Sequence, residues 1–209
     1  MIRGIEGRRI FRGVDDRVDF LERLDRLVPE LAFRCFAWVL MPNHVHLAVE
    51  SGPVRLSRLM ARLNTGYAMS FNLRHRRRGH LFQNRFRSRI VCSGADLIAV
   101  VRYLCRNPLE AGIVGSVRDL ARWPWSGFSA LIGTRAPRPF EAVGATLAFF
   151  GDDIETARSE LLQHVSRGGT EAAAPGALML ETIPAREPIP RELSRTRPID
   201  SRNIPARPH

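Results

Sequence analysis

Two histidines one residue apart are the first candidates for chemistry in this sequence. His44 and His46 flank Val45 in a segment that alternates in polarity. Successive side chains of a β-strand point to opposite faces of the sheet, so both imidazoles are expected on one face. Two convergent imidazoles form half of a divalent-metal site. The alternative is a pair of exposed strand histidines, but the apolar run 47–49 favours a central strand, where buried imidazoles need partners.

Tyrosine occurs at only two positions, Tyr67 and Tyr103. Tyr67 falls in the apolar stripe of a predicted helix and is interpreted as a core residue. Tyr103 lies in the last turn of a helix predicted over 95–106, and Asn107 follows four residues later on the same helical face. The pair could supply a nucleophilic hydroxyl and a metal-binding amide. Alternatively, Tyr103 closes the core and Asn107 ends the helix before Pro108.

Net charge is the strongest compositional feature. All 32 basic residues are arginine, and the formal net charge is +11. Such a surplus favours a polyanionic partner, nucleic acid first; a coding bias toward arginine explains the missing lysine but not the net charge. The candidate DNA-contacting residues span a predicted helix end and the strand after it: Arg74, Arg76, Arg77, Arg78, His80, Phe82, Arg85, Arg87 and Arg89. For the run 76–78, a solvated charged surface is an equal alternative.

Length and composition exclude several classes of protein. A chain of 209 residues that is 44% hydrophobic and 25% charged is neither wholly disordered nor fibrous. No apolar run reaches the length of a membrane span, and the N-terminus lacks the apolar stretch of a signal peptide, so a cytoplasmic protein is expected. The three cysteines form no Cys-x-x-Cys pair, which argues against a zinc knuckle or a disulfide framework.

The periodicity of apolar residues predicts an alternation of helices and strands. Helices are expected over 15–31, from 56 into the basic run that ends at Gly79, and over 95–106; strands are expected over 32–40, 44–50 and 85–92. A strand before the first helix would complete β-α-β-β-α-β, a ferredoxin-like antiparallel sheet of the α+β class. Residues 1–4 fill that first position only in part, so one side of the strand 44–50 is expected to stay largely unpaired. Further helices are expected within 117–133, over 140–150 and over 153–165.

Three motifs occur in a fixed order along the chain. They are Met-Pro-Asn-His-Val-His-Leu over 41–47, Gly-His-Leu-Phe-Gln-Asn-Arg-Phe over 79–86, and Tyr-Leu-Cys-Arg-Asn-Pro-Leu-Glu-Ala-Gly over 103–112, with Trp-Pro-Trp-Ser following at 123–126. Together they resemble the Y1 transposases of the HUH endonuclease superfamily. The resemblance is greatest to the IS200-like branch that includes the REP-associated tyrosine transposases, and it extends over about residues 1–165.

The resemblance implies a ferredoxin-like core and a metal-dependent endonuclease for single-stranded DNA. His44 and His46 match the metal-binding pair, Asn107 matches the third ligand, and Tyr103 matches the nucleophile. The implied ion is Mg²⁺ or Mn²⁺, and the implied product is a 5′-phosphotyrosine with a free 3′-hydroxyl. The expected partner is single-stranded DNA with hairpin or palindromic ends, bound by a monomer or homodimer. Residues 1–133 would form the catalytic domain, 134–166 a helical extension, and 167–209 a disordered Arg/Pro-rich tail.

This sequence departs from the family pattern in two places. Met1 falls almost inside the motif Arg-Gly-x-x-x-Arg-Arg-Ile-Phe over 3–11, so the first strand is expected to be largely cut away. Cys105 and Arg106 stand where relatives often have His or Asn. Two alternative functions remain open: a decayed or domesticated transposase that only binds DNA, and a metal hydrolase that uses the histidines without Tyr103.

Overall fold

A computed structural model of the chain describes residues 1–167. Apart from Arg167, the predicted tail lies outside the described residues. The elements in chain order are β1 (Ile2–Arg3), α1 (Val14–Glu30), β2 (Arg34–Met41), β3 (His44–Glu50), α2 (Leu56–Arg74), α3 (Gly94–Glu110), α4 (Val117–Arg122), α5 (Phe128–Leu131), α6 (Val143–Leu147) and α7 (Ile154–Ser166). This mixture of helices with an antiparallel sheet confirms the predicted α+β class.

The sheet is antiparallel and has the strand order β1-β3-β2. β2 and β3 form the predicted hairpin, with Met41 opposite His44. β1 pairs only at Ile2 with Val45 and at Arg3 with His44. Within residues 1–167, β3 therefore has no partner strand beyond Val45 on that side, as expected from the short N-terminal segment.

Alternation along β3 assigns its side chains to two different cores. Val45, Leu47 and Val49 pack with the buried residues of α1 and α2. Ala48 packs on the opposite face, with the buried residues of α3. His46 shares that face and lies beside the ring of α3's Tyr103. The histidine pair thus faces α3 because the strand period is two.

The predicted strand over 85–92 is wrong, since this segment forms no regular strand. An irregular loop lies beside β1 instead: the Ile5 N–H donates to the Leu81 carbonyl (3.0 Å), and the Gln83 N–H donates to the Arg3 carbonyl (2.9 Å). The Arg87 N–H also donates to the Met1 carbonyl (3.0 Å), so the pairing reaches one of the alternating arginines, but it is too irregular to form a ladder. These arginines are consequently loop residues exposed to solvent.

Two predicted helix ends also differ from the structure. α3 continues through Pro108, so Asn107 lies inside the helix rather than after it. Pro108 has no N–H and so removes one helical hydrogen bond, which is tolerated because the residue lies in the last turn of α3. The Ala111 N–H still donates to the Asn107 carbonyl at 3.0 Å. α2 ends at Arg74, before the basic run, because the chain takes positive φ at Arg76 (48°) and at Gly79 (87°).

Helices α6 and α7 share the core on the α3 side of the sheet. Leu147 and Leu161 are fully buried there, and the Thr146 hydroxyl donates to the Phe36 carbonyl of β2 at 2.9 Å. Only Val143–Leu147 of the predicted helix over 140–150 is helical. The division at residue 133 stays a prediction. No helix in the described part of the chain is long and apolar enough to cross a membrane.

Candidate active site

The predicted nucleophile and the predicted histidine pair meet between β3 and α3. The ring centroids of His44 and His46 are 4.9 Å apart, with their planes at 89°. The centroids of His46 and Tyr103 are 5.6 Å apart, with their planes at 90°. The strand and the helix, which are distant in sequence, therefore bring three of the four predicted residues into one cluster.

Asn107 completes this cluster from one helical turn beyond Tyr103. It is buried, with 9% of its surface exposed. Its side chain lies close enough to the imidazole of His44 to raise the pKa of that ring. The i, i+4 spacing predicted from the sequence thus places the hydroxyl and the amide on the face of α3 that meets the histidines.

Burial keeps both imidazoles in their neutral form. Desolvation by burial, with smaller contributions from the neighbouring His44 and the N-terminus, lowers the pKa of His46 to about 3. Desolvation also lowers the pKa of His44. Asn107 opposes this effect, and Arg3 adds a smaller lowering. Neutral imidazoles carry the lone pairs that metal coordination requires, so both residues are in the ligating form at neutral pH.

The two imidazole rings differ in their hydrogen bonding. The His44 Nδ1 lies 2.7 Å from the Asn43 Oδ1, and Asn43 in turn donates from its Nδ2 to the Gly7 carbonyl at 3.1 Å. An amide oxygen only accepts, so Nδ1 of His44 carries the proton and Nε2 keeps its lone pair. The His46 Nδ1, by contrast, is buried and has no hydrogen-bond partner among residues 1–167.

This donor set fits a divalent metal ion. An unpartnered buried nitrogen is costly, and coordination of the ring would compensate that cost. The described residues contain no cluster of three or more His, Cys, Asp or Glu side chains. Two imidazoles and the amide of Asn107 are the side chains here that would hold such an ion.

The structure separates the two tyrosines by environment. Tyr103 is partly exposed, at the edge of the core on the α3 side. Tyr67 is fully buried, its hydroxyl donates to the Ile10 carbonyl, and burial raises its pKa. Tyr67 is the core residue that its helical position predicts.

The candidate DNA-contacting arginines divide into two groups. Arg74 forms an ion pair with Asp16 at 2.8 Å, and Arg77 donates to the side chain of Asn72 and to the carbonyl of His80, so both already stabilise the end of α2 and the loop after it. The other group is exposed and forms no ion pair within the described part of the chain: Arg76, Arg78, Arg85, Arg87 and Arg89. His80 is exposed and Phe82 is half-buried.

A basic cleft adjoins the histidine pair and contains a residue that sequence reasoning missed. Arg3, Arg85 and Arg87 line this cleft together with the amides of Gln83 and Asn84. Arg3 stands opposite His44 in the β1–β3 register and is exposed. Only the strand pairing reveals its position, whereas Asn43, also missed, could have been suspected from its place directly before His44.

One of three comparisons with known proteins found a match. The family model described as "Transposase IS200 like" matches residues 3–107, which is 105 of the 209 residues. The matched segment begins at β1 and ends at Asn107, so it contains the whole cluster and the arginine-rich segment 75–89 between α2 and α3, the basic loop. No curated protein and no solved structure matches the chain. Because the match covers more than half of the sequence, the chain belongs to the IS200-like transposase family.

Proposed function

We propose that this protein cleaves and rejoins single-stranded DNA through a covalent intermediate on Tyr103. Membership of the IS200-like transposase family makes it a DNA-cleaving enzyme of transposition. The observation that supports the finer proposal is the perpendicular contact of Tyr103 with His46, in a cluster that also holds His44 and Asn107.

The reaction is a transfer between two phosphodiester bonds. The Tyr103 oxygen forms a bond to phosphorus while the bond from phosphorus to the 3′-oxygen breaks. The tyrosine gives up its proton and the leaving 3′-oxygen takes one up, so the products are a 5′-phosphotyrosine and a 3′-hydroxyl. The covalent link retains the energy of the broken bond, and a 3′-hydroxyl of another strand can reverse the step without ATP.

The cluster residues have separate tasks in this proposal. A tyrosine hydroxyl ionises near pH 10 and is a weak nucleophile at neutral pH, so the scissile phosphate must be polarised. His44, His46 and Asn107 would hold Mg²⁺ or Mn²⁺, which supplies that polarisation as a Lewis acid. Asn43 fixes the ring of His44, and α3 holds Tyr103 next to the pair. The unpaired arginines Arg3, Arg85 and Arg87 would bind the phosphates on either side.

A denaturing gel tests the proposal directly. Full-length protein, Mn²⁺ and an end-labelled pool of single-stranded hairpins with randomised flanks should yield a protein band that carries label. Tyr103→Phe should abolish that band and keep DNA binding, because only one hydroxyl is deleted. Tyr67→Phe is the matched control and should keep the band.

The same gel separates the proposal from the two alternatives. DNA binding without a labelled band in the unmodified protein would indicate a protein that only binds DNA. Shortened DNA without a labelled band, unaffected by Tyr103→Phe, would indicate a metal hydrolase that uses the histidines alone. Either outcome contradicts the tyrosine mechanism.

A further inference from the structure

We propose that the groove between α2 and the loop 79–85 binds an unpaired base of the DNA strand. This inference rests on the proposed function, because it concerns the same strand that Tyr103 would cleave. The groove is lined on one side by α2 residues, among them Asn64, Thr65 and Met69. The other side is formed by loop residues that include Phe82 and Asn84.

Its walls offer the apolar surfaces between which a base can stack. Phe82 is half-buried, and its ring lies 6.3 Å from that of Tyr67, which supports it from the core. Met69 on the opposite wall is 69% exposed and presents an apolar surface to the groove. Base–aromatic stacking tolerates any base and is a principal source of affinity for single strands.

One hydrogen-bond acceptor without a partner, the side-chain oxygen of Asn64, accompanies these apolar surfaces in the described part of the chain. This oxygen is buried in the wall. Asn72, two turns further along α2, has both of its amide atoms engaged, with the Gly79 carbonyl and with Arg77. The amide of Asn64 is therefore not anchored, and turning toward a base edge would give its oxygen the N–H donor that it lacks.

The groove is continuous with the basic cleft at the active site. Gln83, Asn84 and Arg85 line both of them. The cleft also holds Arg3, which stands opposite His44 in the sheet. A strand whose phosphates lie in the cleft therefore passes residues 83–85 on its way to the groove. This continuity favours single-stranded DNA as the occupant over a protein segment, which would not need the arginines.

The test compares oligonucleotides that carry bases with an abasic oligonucleotide. Fluorescence anisotropy of the full-length protein in EDTA, which prevents cleavage, measures affinity for dT, dA and dC strands of about 20 nucleotides and for an abasic strand of equal length and charge. At least one base-bearing strand should bind about five-fold or more tightly than the abasic strand, the lower end of the effect of one stacked base.

Groove variants locate that preference. Thr65→Trp fills the groove from an exposed position and should remove the preference without changing abasic affinity. Ser159→Trp places the same side chain at an exposed position of α7 and should leave both affinities unchanged. Phe82→Leu keeps apolar bulk without an aromatic face and should reduce the preference, while Arg85→Gln should weaken binding of every strand.

Two results would overturn the inference: equal affinity for base-bearing and abasic strands, or a preference that survives Thr65→Trp in a protein with unchanged thermal unfolding. The labelled-hairpin gel, run in parallel, distinguishes this failure from failure of the chemistry. A covalent band without any base preference refutes the groove and leaves the tyrosine mechanism standing. A base preference without a covalent band refutes the tyrosine mechanism and leaves the groove standing.

Discussion

At the scale of single residues, Tyr67 and Tyr103 carry the same side chain in opposite surroundings. The Tyr67 hydroxyl is enclosed by α1 and α2 and donates to the Ile10 carbonyl. The ring of Tyr103 stands against an imidazole at the edge of the other core. The candidate nucleophile is thus distinguished by its position on α3, opposite the β3 histidines, and not by its residue type.

Tyr67→Phe should lower the free energy of unfolding by about 1–2 kcal/mol and leave adduct formation unchanged. The substitution leaves the buried Ile10 carbonyl without its donor, which accounts for the loss of stability. Urea denaturation followed by tryptophan fluorescence gives the first quantity, and the labelled-hairpin gel gives the second. Loss of the adduct in a folded variant would show that the role assigned to Tyr103 belongs to Tyr67.

Asn43→Ala should raise the Mn²⁺ concentration for half-maximal adduct formation by about 10- to 100-fold, the usual effect of removing a group that orients a metal ligand. Without the Asn43 Oδ1, the ring of His44 loses the hydrogen bond that fixes its proton on Nδ1. A Mn²⁺ titration measures the midpoint, and saturating Mn²⁺ should restore most of the rate. Asn72→Ala is the control, and an unchanged midpoint in Asn43→Ala would contradict the metal site.

His44→Ala and His46→Ala should each abolish Mn²⁺-dependent adduct formation while DNA affinity stays within about two-fold, because the arginines proposed to bind phosphates remain. Gel and anisotropy measurements on the same preparations provide both values. Undiminished adduct in either variant would remove that histidine from the site.

At the scale of elements, Asp16 joins the start of α1 to the end of α2. Its carboxylate is 1% exposed and accepts hydrogen bonds from the Arg12 N–H (2.7 Å), from Arg74 (2.8 Å) and from His75 (2.9 Å). Burial alone raises the pKa of Asp16, but these hydrogen bonds outweigh it and leave the pKa below its ordinary value. This carboxylate therefore fixes the position from which the basic loop leaves α2.

Asp16→Asn should lower the free energy of unfolding by about 2–4 kcal/mol at pH 7, because it removes a buried charge that has paired donors. A carboxyl whose pKa is lower when folded stabilises the protein above its unfolded pKa, near 3.9, and loses that contribution as pH falls toward the folded value. The difference between the two proteins should therefore shrink below about pH 4.

Urea denaturation at pH 7 and at pH 3.5 tests this dependence on pH. Asp15→Asn, an exposed neighbour in the same helical turn, is the matched control and should change stability by less than about 0.5 kcal/mol. A loss in Asp16→Asn that is equally large at both pH values would contradict the role of the charge.

The elements differ in how much of them the sequence predicts. The boundaries of β3 were predicted to the residue, because alternation and a preceding turn both indicate it. The alternation of Arg85, Arg87 and Arg89 predicted a strand as well, but a strand also needs a partner of matching length, which β1 is not. α3 passes Pro108 because its packing against β2 and α7 outweighs a local preference to stop.

At the scale of the whole molecule, the spacing of residues predicts which side chains share one face of a strand or helix. It does not predict which elements pack against each other. The pairs His44 with His46 and Tyr103 with Asn107 follow from the periods of strand and helix. The placement of α3 over β3, which brings both pairs together, depends on packing between distant segments. The same holds for Arg3, whose proximity to His44 arises from strand pairing.

A chain that ends at Arg167 should keep its unfolding midpoint and its adduct formation, since both hydrophobic cores lie within residues 1–167. The removed part carries six arginines, so non-specific affinity for single strands should fall modestly. Each lost phosphate contact should flatten the log–log salt dependence by roughly 0.7. Calorimetry and salt titration measure the two effects, and a markedly lower midpoint would assign the tail a structural role.

Mass spectrometry of the covalent complex tests the central claim most directly. After reaction with the hairpin pool and Mn²⁺, exhaustive nuclease treatment should leave a nucleotide remnant on the protein, and proteolysis should place it on the peptide that contains Tyr103. The account predicts this modification at Tyr103, absent from Tyr103→Phe and dependent on His44 and His46. A remnant on any other residue, or cleaved DNA with no modified peptide, would contradict it.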